Sequence, residues 1–144
     1  MGKYYDELTR AMNHIAKDER SIFIGQAVRY AGTGMTNTLK DIPDHKKIEA
    51  TVCEDMQQGM VNGLALAGFV PVSIYPRFDF FVLALNQTLN HLDKFQEMGT
   101  APTKVIIRTS VGSVRPLHPH AQHCNNYTEG YRAMLKNIEV IELI

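Results

Sequence analysis

Cys53-Glu54-Asp55-Met56-Gln57-Gln58-Gly59-Met60-Val61-Asn62-Gly63-Leu64-Ala65-Leu66-Ala67-Gly68-Phe69-Val70-Pro71-Val72 is the stretch on which the fold turns. Residues 54–68 read as the clearest helix of the chain. Met56, Met60, Leu64 and Ala67 recur at helical spacing and define one face, with Gly59 and Gly63 on a neighbouring one. Each internal glycine costs about 1 kcal/mol of helix propensity relative to alanine, and the expected compensation is close approach of another backbone. Gly68 fits a helix stop. Phe69 to Tyr75 then reads as a strand, with Pro71 marking its start or an edge position.

Working outward, Leu8, Ala11, Met12 and Ile15 give residues 3–17 the pattern of an amphipathic helix. Ser21 to Gly25 reads as a short buried strand, Gln26 to Thr38 as a loop and Lys47 to Ala50 as a weak strand. Downstream, residues 79–95 begin apolar nearly all round (Phe80, Phe81, Val82, Leu83, Leu85), the mark of a buried helix. Lys104 to Arg108 is a strand, 109–126 a long loop rich in His, Pro and Gly, 127–135 a helix and Val140 to Leu143 a last strand. Strands and helices alternate about five times. That alternation predicts a single α/β domain over residues 1–144, a mostly parallel sheet with helices on both faces. In such sheets ligands bind beyond the carboxyl ends of the strands, which points to the loops after residues 25, 50, 75 and 108.

The balance of 15 basic and 15 acidic side chains leaves no electrostatic footprint for nucleic acid or an anionic membrane. It also does little to keep copies apart, so association is expected. Two cysteines, Cys53 and Cys124, make no disulfide framework. With an N-terminus that lacks the apolar run of a secretion signal, and no stretch long enough to span a bilayer, they lead us to expect a cytoplasmic protein.

Several residues could carry chemistry. Glu54 sits where a strand-like segment hands over to the long helix, and a helix N-terminus favours an anion by roughly 0.3–1 kcal/mol. A first-turn glutamate without function is equally compatible with that position. His118, His120 and His123 beside Cys124 have a spacing that suggests a metal site only weakly; one of them on a loop near strand ends could act as a general acid or base. Phe78, Phe80 and Phe81 read first as core, although one ring could offer a flat face to a heterocycle. Gly32-x-Gly34 lacks the third glycine of a phosphate-cradling loop, and Gly112-Ser113-Val114 lacks the pattern of a serine nucleophile elbow.

Read together, these features resemble the pyrimidine-binding domain of transketolases and of the beta subunits of 2-oxo acid dehydrogenases. The resemblance lies in the strand followed by Glu54, the small-residue helix ending Ala67-Gly68, and Pro71-Val72. It continues through the aromatic-rich Tyr75-Pro76-Arg77-Phe78-Asp79-Phe80, the helix Ala84-Leu85-Asn86-Gln87-Thr88-Leu89-Asn90, and Arg108 followed by Gln122-His123, and it covers nearly the whole chain.

The resemblance implies the thiamine-diphosphate-binding fold and an enzyme subunit acting on a 2-oxo acid or a ketose. The His-bearing loop is similar to the dehydrogenase beta type, which favours 2-oxo acid chemistry. By position, Glu54 matches the carboxylate that binds the ring nitrogen of the cofactor's aminopyrimidine, Phe80 (with Phe78 nearby) the aromatic that packs on that ring, and His123 the loop histidine facing the substrate. Gln26 departs from the family, which carries an acid after the strand-end glycine. The chain ends at Ile144, without the C-terminal domain of the beta subunits, and contains no Gly-Asp-Gly motif. Diphosphate and magnesium would therefore be held by a partner subunit with that motif, in a heterotetramer of two of each. Two other readings compete. A non-catalytic pyrimidine-domain scaffold has against it the joint retention of Glu54, Phe80 and His123. A flavodoxin-like nucleotide binder has against it the composition of Gln26 to Thr38.

Overall fold

The computed structural model describes residues 2–112 and 119–143. Four strands, β1 (Ser21–Gly25), β2 (Lys47–Glu49), β3 (Val70–Ile74) and β4 (Ile106–Arg108), form one sheet in the order β2-β1-β3-β4. Every pairing is parallel. The helices are α1 (Lys3–Ile15), the short α2 (Gly34–Asn37), α3 (Glu54–Leu66), the short α4 (Phe78–Phe81) and α5 (Thr128–Met134). A parallel pair needs a crossover, and covering both faces is what lets the interior strands be apolar throughout; all five residues of β3 are buried.

Alternation of side chains along β3 divides the core in two. Val72 and Ile74 point to the side of α1, where they meet Met12, Phe23, Val28 and Leu39. Ser73 and Tyr75 point to the side of α3, where they meet Gln57 and Gln58. A second cluster on that side joins Tyr75, Phe78, Phe81, Ala84 and Tyr131. The α/β class, the parallel sheet and the helices on both faces stand as the sequence predicts.

Pro71 is the second residue of β3, the start position that the sequence suggests, and it pairs with Ile22 of β1 one residue before the β4 ladder begins at Val72. Three local expectations differ, and the burial pattern of α3 adds a fourth finding. The Met56–Met60 face of α3 points outward, with both residues about 45% exposed, while Gln57, Gln58 and Asn62 face the sheet. Burying these amides is tolerated because each side-chain nitrogen finds a partner: Gln57 donates to Ser73 Oγ and Ile74 O, Gln58 donates to Asn62 and accepts from Tyr75 OH, and Asn62 donates to Gln87 O, while Gln57 Oε1 has no partner among the described residues. Among the described residues no backbone closes on the glycines of α3: a Cβ at Gly63 would meet nothing within 4 Å, and one at Gly59 only the Gln87 side chain.

The segment 79–95 is not one buried helix. After α4 it passes through a 3-10 turn (Val82–Ala84), a π turn (Gln87–His91) and another 3-10 turn (Leu92–Lys94), and Leu83 is 63% exposed. Thr88 Oγ1 donates to Ala84 O, a local bond that competes with the regular ladder and loosens the helix there. Finally, Val140–Leu143 forms no strand. It runs free of the sheet, with Ile141 and Leu143 exposed, and is tied down by Arg132 Nε donating to Val140 O.

Asp93 anchors the turn that leads to this segment. Its fully buried carboxylate accepts the N–H groups of Lys136 (3.0 Å) and Asn137 (2.7 Å) and pairs with Lys94 Nζ at 3.1 Å. Burial pushes the carboxyl up, but the Asn137 N–H, the Lys94 ammonium and the Lys136 N–H outweigh it and hold Asp93 below the ordinary carboxylate range. A carboxyl depressed on folding stabilises the native state above its unfolded pKa, near 4, and that stability is lost as pH falls through the folded value. Asp93→Ala is expected to lower stability by about 2–3 kcal/mol at pH 7. Urea unfolding of both proteins checks this: the gap should narrow as pH drops below about 4.

Candidate active site

Because all four strands are parallel, the loops that follow them open at one end of the sheet. The segment after β1 begins with Gly25 and Gln26. Gly25 has φ +153°, and a Cβ there would lie 2.0 Å from Ile74 O, so only glycine lets β1 run this close to β3. The next turn is held by Glu49, the last residue of β2: its carboxylate accepts the N–H groups of Ala27, Val28 and Arg29 at 2.7–2.8 Å. Three backbone donors on one carboxylate hold Ala27 in a left-handed conformation (φ 58°).

That turn aims Gln26 at Glu54. Glu54 is the first residue of α3 and only 6% exposed, and its Oε1 accepts from Gln26 Nε2 at 3.0 Å. This is the one hydrogen bond to the carboxylate among the described residues. Cys53, at the cap position, makes no side-chain cap. Glu54 also acts electrostatically on Tyr75. Burial first, and the Glu54 charge among smaller causes, pushes the Tyr75 phenol far above its usual value, so it stays a neutral donor to Gln58.

Phe80 and His123 meet at the ends of β3 and β4. Their rings stand edge to face with centroids 5.3 Å apart. His123 Nδ1 lies 2.7 Å from Gln122 O. A carbonyl only accepts, so Nδ1 carries the proton and Nε2 is left to accept one, or to donate once the ring is charged. The segment bearing His123 is fixed by Arg77 Nη1 donating to His123 O (3.3 Å) and by Asn125 Nδ2 donating to Asp79 Oδ1 (2.5 Å). It also packs so tightly on Gly112 that a Cβ there would lie 2.4 Å from Cys124 Cα.

The structure thus pairs Glu54 with Gln26 and Phe80 with His123, all on segments that follow the strands at one end of the sheet. Phe78 lies deeper: it is 5% exposed, and its ring packs against Phe81, Tyr127 and Tyr131. His118 and the Gly112-Ser113-Val114 segment beyond Gly112 fall outside the described residues. Among the described residues no three His, Cys, Asp or Glu side chains gather where a metal ion could sit, and no helix is long and apolar enough to cross a membrane. Glu49 escaped the sequence reading because it closes a weak strand. The only signal was an acid at a strand end opposite a loop of small residues.

No family model matches the chain. The chain is similar to the pyruvate dehydrogenase E1 component subunit beta, mitochondrial, of Caenorhabditis elegans, with 26% identity over 132 residues. The match covers 88% of this chain and 37% of that relative, so the chain spans little more than a third of its length. This distant likeness and the all-parallel sheet fit a transketolase-like domain.

Proposed function

We propose that the chain supplies the pyrimidine-binding half of a two-component thiamine-diphosphate-dependent enzyme acting on a 2-oxo acid, with ketoses as the related substrate class. The observation that carries the reading is Glu54: a buried carboxylate at a helix N-terminus, with one oxygen bonded to Gln26 and the other open. A buried carboxylate needs a partner, and a pyrimidine ring nitrogen that takes up a proton is a fitting one. Thiamine diphosphate, when bound, supplies the electron sink for cleaving the bond next to a carbonyl.

The donor set fits half of that cofactor. Glu54 would hold a proton at the pyrimidine nitrogen, and Gln26 would fix the carboxylate without competing for that proton. Phe80 would pack on the ring, with Phe78 supporting the same helix from the core. His123 Nε2 would exchange a proton with the substrate. Nothing among the described residues gathers the hard oxygen ligands magnesium takes. Diphosphate and magnesium therefore belong to a partner subunit with a Gly-Asp-Gly motif, in an assembly of two copies of each.

The outward face of α3, with Met56 and Met60 half-exposed and Gly63 open, and Val52 just before the helix 75% exposed, is a surface suited to burial by a neighbouring subunit. Cys53 and Cys124 are both free thiols, which suits a reducing compartment such as the cytoplasm.

Calorimetry of thiamine diphosphate with magnesium on the isolated chain tests the division of labour. No binding tighter than about 1 mM is expected. A micromolar constant without a partner would contradict it.

A further inference from the structure

Arg108, the last residue of β4, is a cation without a counter-charge among the described residues. Its Nη1 donates to Thr38 Oγ1 at 2.7 Å; among the described residues its side chain makes no other hydrogen bond and joins no ion pair. The residues that act on it electrostatically are Tyr4 and Tyr5, phenols rather than carboxylates, and burial pushes the guanidinium down from its usual value. Tyr5 OH is itself buried with no hydrogen-bond partner. Arg108, Tyr5 and Thr38 line one groove of about 1140 Å³ that wraps the free edge of β4, with apolar walls that include Leu8, Phe95 and Ile107. Arg108 is in register with Ile74, whose side chain points to the α1 side of the sheet, so it lies on the face opposite α3 and Glu54.

We propose that this groove binds a small monocarboxylate with an apolar tail, its charged end held by Arg108 and Tyr5. The planar fork of a guanidinium matches a carboxylate with two parallel hydrogen bonds, and a half-buried arginine lacking an anion gains most from one. Arg77, Glu139 and Glu142 also line the groove, but Arg108 is the guanidinium beside Tyr5 and Thr38, so one negative charge at that end suffices, and the apolar walls call for a tail rather than a second polar group. The proposal requires neither thiamine diphosphate nor a partner subunit, so it stands or falls separately from the cofactor reading.

Sodium octanoate is the probe, titrated into the full chain and followed by NMR at the Arg108 side-chain Nε–H. Saturable one-to-one binding with a constant below about 1 mM is expected, weakened roughly tenfold or more in Arg108→Gln and about threefold in Tyr5→Phe. Arg108→Lys keeps the charge but loses the fork, and should bind with intermediate strength. It carries the test with Tyr5→Phe if Arg108→Gln does not fold. The proposal is overturned by any of four results: no saturation, equal binding of 1-octanol, unchanged affinity in the variants, or an Arg108 resonance already shifted in a concentration-dependent dimer that octanoate does not displace.

Discussion

Glu54→Gln, in a complex with a diphosphate-binding partner, is expected to slow deuterium exchange at the thiazolium carbon of bound thiamine diphosphate by about 10²–10⁴-fold. The substitution is nearly isosteric. The amide oxygen can still accept from Gln26 Nε2, as Glu54 Oε1 does at 3.0 Å, so the turn after β1 and the start of α3 should keep their places. What changes is the other atom: an oxygen able to hold a proton becomes an NH₂ group, which can only donate. A structural role for Glu54 would leave exchange intact in a well-folded complex. A role in proton transfer would abolish it while affinity for the diphosphate end persists. Quenched-flow NMR separates the two, and an unchanged exchange rate would remove Glu54 from the chemistry.

Gly25→Ala should have the largest effect on stability, about 4 kcal/mol or more. The added Cβ would lie 2.0 Å from Ile74 O and 2.9 Å from Ile74 C, both backbone atoms of the neighbouring strand, at a φ of +153° that an L side chain rarely adopts. Relief requires β1 and β3 to part at the end of the sheet. That movement would also break the bond from Gln57 Nε2 to Ile74 O and draw Gln26 away from Glu54. Urea unfolding measures the loss; a cost below about 1 kcal/mol would mean that the strands separate easily and that the close approach does not hold the site together.

The architecture was legible because the period-2 and period-3.6 patterns alternate cleanly and because glycine and proline punctuate them. Failures fell where tertiary partners decide. The spacing groups Met56 and Met60 on one face of α3 but does not say which face is inside: Gln57, Gln58 and Asn62 are, because their amides find partners on β3, on α3 itself and at Gln87 that no local pattern reveals. Val140–Leu143 has the composition of a strand, but composition cannot show whether a neighbouring edge pairs with it, and here none does. The apolar run after Phe80 suggested a buried helix, and the Thr88 hydroxyl bond to Ala84 O undid its regularity. At the candidate site, Glu54, Phe80 and His123 were singled out through the family resemblance. The bond between Gln26 and Glu54, 28 residues apart, and the three amides gathered by Glu49 were not, since both depend on how β1 and β2 end side by side.

The most direct measurement is a titration of thiamine diphosphate, with magnesium, onto this chain mixed with a Gly-Asp-Gly partner, comparing native protein with Phe80→Ala and Glu54→Ala. Micromolar binding that requires both chains and weakens at least roughly tenfold in each variant is the predicted result. Equal affinity in all three proteins, or binding by the partner alone, would contradict the assignment of the pyrimidine end to this domain.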